Sequence, residues 1–176
     1  MKKVGFGITI NQKPKLPDRL DEALAYFLGL LITDGHIVLD NINKRYKVML
    51  FNSYDDESEI ILSLIRKLFD YNAKINIRTN ISFSKRPNNE IYITSKKVVE
   101  FLTEKMNIPS GAKSRVVRIP KLMFNQPKHI VSAFLRGVID GDGSIARSHA
   151  GKGNSDLQVV RNRVSFRHDK NTGETS

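Results

Sequence analysis

Tyr26-Phe-Leu-Gly-Leu-Leu-Ile-Thr-Asp34-Gly35 is an apolar helical run that stops at Asp-Gly, and Phe134-Leu-Arg-Gly-Val-Ile-Asp-Gly-Asp142-Gly143 repeats it 108 residues later. The offset lays Ala25 on Ala133, Tyr26 on Phe134, Gly29 on Gly137, Thr33 on Gly141, Asp34 on Asp142 and Ile37 on Ile145. A single Asp-Gly after such a run is an ordinary helix stop, because glycine adopts the left-handed conformation that ends helices and Asp-Gly also opens hairpins. The duplicate carries more. Ala25, Gly29 and Thr33 lie four apart, and Ala133, Gly137 and Gly141 keep that spacing, so each helix has one face nearly bare of side chain.

Glycine inside a helix costs about 1 kcal/mol relative to alanine, so Gly29 and Gly137 need a compensating reason. Close approach of two helix backbones supplies one. If the bare stripes face each other, the helix ends bring Asp34 and Asp142 together. Two carboxylates at helix C-termini, where the macrodipole is already negative, repel unless a cation lies between them. Mg²⁺, or Mn²⁺ in its place, is the expected ion: it takes hard oxygen ligands and completes its shell with water and substrate phosphate. Such an ion activates water and stabilises the leaving oxygen of a phosphodiester.

The two runs resemble the paired motifs of the LAGLIDADG homing endonucleases, whose nine positions fall on Phe27 to Gly35 and on Leu135 to Gly143. The resemblance implies a site-specific, divalent-metal-dependent double-strand DNA endonuclease, with Asp34 and Asp142 as the catalytic metal ligands. The motif's earlier acidic position is Asp140 in the second copy and Ile32 in the first. The stretch Ile108-Pro-Ser-Gly-Ala-Lys-Ser-Arg115 is similar to the segment between the motifs of intein-type members. It implies Lys113 as a catalytic candidate that stabilises charge on the phosphate or activates water. A phosphate-contacting or solvated lysine is the equal alternative.

The net charge of +11 and pI near 9.9 point to a polyanionic partner. The strand-like stretches after Asp40 and after Asp70 carry Lys44, Arg45, Lys47, Lys74, Arg78, Lys85 and Arg86 and no acid. Carboxylates gather instead at Asp55, Asp56, Glu57 and Glu59, a helix start that the dipole favours. In Lys74-Ile-Asn-Ile-Arg78 strict alternation puts Lys74, Asn76 and Arg78 on one face. The candidate DNA contacts are therefore Arg45, Lys47, Lys74, Asn76, Arg78, Lys85 and Arg86. The absence of cysteine excludes disulfides and thiolate zinc sites, and His36, His129, His149 and His168 lack metal-ligand spacing.

Periodicity and turn signals predict helices from an Asp18 cap to Thr33, from Asp55 to Phe69 and from Lys96 to Met106, the last capped by Ser95. Strands are expected near His36 to Leu39, Arg45 to Asn52 and Lys74 to Arg78, and a hairpin is expected to pair Ile81 to Lys85 with Glu90 to Thr94. Helix, two strands, helix, two strands, helix is an α+β order with an antiparallel sheet, helices on one side and the other face free. Residues 1–17 are read as an extension, 18–107 as the first αββαββα unit, 108–126 as a connector and 127–176 as a second unit entered through the second motif helix. Only 33 residues follow Gly143, so this second unit is expected to be incomplete, which favours self-association or a complementing chain. Asn162 to Lys170 matches the strand from Tyr46 in that scheme.

The competing function is a non-catalytic binder on the same scaffold, either an RNA maturase on intron RNA or a DNA-binding regulator. The chain is not read as a complete intein, since it starts with Met1-Lys2 and ends in Thr175-Ser176. Ala23 to Thr33, the longest apolar run, is too short to span a bilayer, and the N-terminus lacks a secretory signal. No membrane partner and a cytoplasmic location are expected.

Overall fold

The computed structural model describes residues 12–52, 55–78, 88–111 and 119–142. Within them the chain runs α1 (Glu22–Thr33), β1 (Gly35–Asp40), β2 (Arg45–Asn52), α2 (Asp55–Phe69), β3 (Lys74–Arg78), β4 (Asn88–Ile93), α3 (Lys96–Glu100) and α4 (Lys128–Asp142). This is the expected α+β order. The sheet is antiparallel throughout, in the order β1-β2-β4-β3.

Helix α1 starts later than expected. Asp21, not Asp18, is its cap, because the Asp21 carboxylate accepts the Leu24 amide at 2.8 Å. Leu24, Ala25, Phe27, Leu28, Gly29, Leu30 and Leu31 are all buried, so the helix is enclosed on almost every side. The sheet lies against one side and α4 against another. The turn between β1 and β2 is held by the Asp40 carboxylate, which accepts from Asn43 N at 2.9 Å and Asn43 Nδ2 at 2.8 Å. Those hydrogen bonds from Asn43 hold the Asp40 carboxyl below its ordinary value.

Directly paired residues share a sheet face, and the register fixes both faces. Ile37, Val48, Leu50, Ile91 and Ile93 point to the helices and join one core with Leu24, Phe27 and Leu31 of α1, Ile61, Ile65 and Phe69 of α2, and Val98 and Val99 of α3. Phe69 ties the helices together, with edge-on ring contacts to Phe27 at 5.5 Å and Phe101 at 6.4 Å. Helix α3 continues as a single π-helical turn, Phe101–Lys105, closed by Met106 N–H on Phe101 O at 3.1 Å.

The expected hairpin of Ile81 to Lys85 with Glu90 to Thr94 is not formed. β4 is already paired on both edges, with β2 through Asn89 to Ile93 and with β3 through Asn88 to Tyr92, so no edge remains for a third strand. Among the described strands β3 is thus the outer one, and its Ile75 and Ile77 are exposed. Residues 81–85 and the matched strand at 162–170 lie outside the described residues. The chain divides into two compact units, Met1–Asp142 and Gly143–Ser176, and α4 belongs to the first. Among the described residues no helix is long and apolar enough to cross a membrane.

Candidate nucleic-acid interface and metal-binding pair

Helices α1 and α4 pack backbone to backbone in parallel. A Cβ added to Gly29 would strike Phe134 O, and it would lie 2.8 Å from Val138 N and 2.9 Å from Gly137 Cα. One added to Gly137 would strike Tyr26 O and lie 3.0 Å from Leu30 N and 3.1 Å from Gly29 Cα. The two sets of contacts are the same under the 108-residue offset, so the repeat is a local two-fold relation in space. Ala25, at the start of its stripe, is fully buried and Ala133 partly so.

One turn further on, a Cβ on Gly141 would strike Thr33 Oγ1 and come within 3.1 Å of Asp34 Oδ2. The Thr33 hydroxyl, which faces Gly141 across the seam, donates back to Leu30 O at 3.0 Å and so satisfies its hydrogen bond within its own helix. The Asp34 backbone is anchored on both sides: its N–H donates to Leu30 O at 3.0 Å, and its carbonyl accepts from Phe51 N at 3.1 Å. Asp34 therefore ends α1 against the last turn of α4, which closes at Asp142. The Asp142 side chain and Lys113 lie outside what the structure describes. Among the described residues no three His, Cys, Asp or Glu side chains gather into a ready-made metal cage.

The two halves of the helix pair also differ in a polar tie. The Tyr26 hydroxyl donates to Asp140 Oδ2 at 3.0 Å, Arg136 Nε lies 3.5 Å from the same oxygen, and the Arg136 guanidinium sits 5.6 Å from the Tyr26 ring centre. The offset maps Tyr26 to Phe134 and Asp140 to Ile32, so a polar tie on one side corresponds to an apolar pair on the other. Burial, then the Asp140 carboxylate, push the Tyr26 phenol up to about 12. A raised phenol pKa stabilises the neutral donor in the fold. Its contribution is complete below the unfolded value of about 10 and is lost as pH rises through about 12. Asp140→Ile alone should cost about 1 kcal/mol by leaving the phenol without its acceptor, and adding Tyr26→Phe should recover most of that loss. A double-mutant cycle in urea measures the coupling; additive effects would mean that the tie is inert.

On the sheet, the register places Arg45, Lys47, Lys74 and Asn76 on the face turned away from the helices, together with His36, Val38, Asp40, Met49, Phe51, Glu90 and Tyr92, while the Arg78 side chain lies outside what the structure describes. Lys74 and Asn76 are exposed on the outer strand. Lys85 and Arg86 lie outside the described residues. Glu90 was missed in the sequence, where it bounds a stretch read as free of acid; it stands on β4 at 1% exposure and is ion-paired with Lys47. Alternation in Asn88-Asn-Glu-Ile-Tyr-Ile93 is the signal that could have found it, since Ile91 and Ile93 face the core and so turn Glu90 and Tyr92 outward.

Over 145 residues the chain is 31% identical to an A-type ATP synthase subunit of Pyrococcus abyssi, covering 80% of this chain and 13% of that protein. It is 31% identical over 119 residues to a DNA polymerase of Thermococcus hydrothermalis, covering 68% of this chain and 6% of the polymerase. It is 27% identical over 143 residues to transcription initiation factor IIB of Methanocaldococcus jannaschii, covering 76% of this chain and 20% of the factor. The chain thus spans a small part of each relative. No family model matches it. Among solved structures it is similar to variants of the homing endonuclease I-DmoI, with a TM-score of 0.47, 19% identity, and coverage of 70% of this chain and 62% of that one.

Proposed function

We propose that the chain is a site-specific, divalent-metal-dependent double-strand DNA endonuclease that travels as an insert in unlike host proteins. The observation that carries it is the glycine crossing of α1 and α4, which sets Asp34 against the last turn of the helix ending in Asp142. The donor set fits Mg²⁺ or Mn²⁺, since hard carboxylate oxygens at two adjoining helix ends leave the rest of the shell to water and phosphate. Asp34 and Asp142 would hold the ion. When bound, it would supply activation of water and neutralisation of charge on the leaving oxygen.

The rest of the machinery belongs to the chain itself. The outer face of the sheet carries Arg45, Lys47, Lys74 and Asn76 in an array suited to a β-ribbon in a major groove, and Arg78, at the end of β3, is the proposed further contact. Lys113 is the proposed further catalytic group. The spread of relatives supports the inserted character. A DNA polymerase, a transcription initiation factor and one component of an ATP synthase share no activity, yet each matches this chain over a short part of its length. A DNA-cutting element that moves between hosts accounts for that pattern.

The test starts by recovering bound duplexes from a randomised pool and then adding Mg²⁺ or Mn²⁺. Double-strand cleavage of the recovered sequences is expected, with EDTA abolishing it. Tight binding without any cut in either metal would instead favour the non-catalytic binder, and a preference for structured intron RNA would favour the maturase.

A further inference from the structure

On the outer face of the sheet, Lys47 of β2 lies across the ring of Tyr92, with Nζ 4.0 Å from the ring centre, and its ammonium is ion-paired with Glu90. The exposures are unequal: the Lys47 side chain is 32% exposed and that of Glu90 1%. The pair bridges neighbouring strands, because β2 and β4 are paired from Val48↔Ile93 to Asn52↔Asn89. An ion pair on so deeply buried a carboxylate holds the ammonium in one direction. The aromatic ring beneath it adds a second restraint. A lysine so held differs physically from Lys74, which is exposed on the outer strand. Its charge is neutralised locally, so it displaces little of the counterion atmosphere of a polyanion. Its donor direction is fixed, so it can discriminate between acceptors.

We propose that Glu90 is a specificity-determining positioning residue: it fixes Lys47 over Tyr92 so that the ammonium meets duplex DNA as a directed donor to the O6/N7 edge of a guanine rather than as a mobile phosphate counter-charge. The proposal rests on the outer sheet face being the DNA face. Lysine or arginine on guanine O6 and N7 is the commonest specific major-groove contact, and β-ribbons enter that groove. A phosphate-neutralising lysine, by contrast, adds about 0.9 to the slope of log affinity against log salt and no sequence preference.

These two roles separate in one experiment on the full chain. Binding to a short mixed-sequence duplex is measured over a salt series, and preferred sequences are recovered from a randomised pool, for the native chain, Glu90→Gln and Lys47→Gln. Glu90→Gln frees Lys47, so it should bind mixed sequence more tightly and with a salt slope steeper by about 0.9, while its guanine preference at one position flattens. Lys47→Gln should lose the same preference and leave the salt slope nearly unchanged. The proposal is overturned if Glu90→Gln leaves the slope and the preference as they were, or if Lys47→Gln lowers the slope by the full phosphate-contact value. Far-ultraviolet circular dichroism establishes that each variant is folded, and the Lys47→Gln result decides alone if Glu90→Gln is not. A native chain that binds no duplex at all would instead refute the DNA face itself, before either variant is compared.

Discussion

Gly137→Val should cost the fold about 3 kcal/mol or more, a large part of the roughly 5–15 kcal/mol by which single domains are stable. The reason is geometric. Even the first carbon of a side chain at this position strikes Tyr26 O and crowds Leu30 N and Gly29 Cα, and a peptide backbone cannot swing aside as a side-chain tip can. Relief requires the helices to separate, which opens the packing around Phe134, itself 1% exposed. For a chain of this size such a loss lowers the thermal midpoint by roughly 6–12 °C. Ser132→Val, at an exposed position on the same helix, is the control and should move stability by less than about 0.5 kcal/mol. Equal midpoints for the two variants would show that the glycine crossing does not hold the helices together. The Gly29→Val substitution should behave in the same way, because the local two-fold relation gives it equivalent backbone neighbours.

Asp34→Asn should reduce divalent-dependent cleavage roughly a thousandfold, corresponding to about 4 kcal/mol of lost transition-state stabilisation, while duplex affinity stays level or rises. The opposite signs come from one change in charge. Asparagine keeps the shape and the backbone ties to Leu30 and Phe51 but removes a negative oxygen from a site proposed to hold a cation beside phosphate. Binding loses a repulsive neighbour, and catalysis loses a ligand. Asp142→Asn should do the same if both ends share the work. Single-turnover cleavage in Mg²⁺ and in Mn²⁺, read beside equilibrium binding in Ca²⁺, separates the two effects. A variant that cuts at the native rate would remove Asp34 from the metal assignment. A variant that neither cuts nor shows the native circular dichroism would place its role in the helix seam, where its carboxylate faces Gly141.

Most elements were legible because their signals are local. Alternation in Lys74-Ile-Asn-Ile-Arg78, acids at the start and bases in the last turn of Asp55–Phe69, and the Asp40–Asn43 turn each depend on residues within a few positions of one another. The missed cap at Asp21 was also local, but Asp18 after Pro17 offers the same sequence signal, and only the direction of the chain decides which carboxylate meets an orphan amide. The hairpin was misassigned for a different reason. A strand can pair with any neighbour of suitable register, and the choice of β2 and β3 for β4 depends on residues far away in the chain.

The candidate site divides along the same line. The spacing of Ala25, Gly29 and Thr33 and its recurrence at Ala133, Gly137 and Gly141 could be read directly, because a four-residue period identifies one helix face and glycine there demands a reason. The sequence by itself determined the order of elements, the repeat with its acidic ends, and which strand residues are basic. The tertiary structure alone decided that the helices cross at Gly29 and Gly137 and that Tyr26 is tied to Asp140. It also decided that a buried Glu90 is ion-paired with Lys47 on the sheet face turned away from the helices. Helix and strand periods are set within one segment of backbone, whereas a crossing point, a hydrogen bond across 114 positions or an ion pair across 43 exists only once the whole chain has chosen its packing.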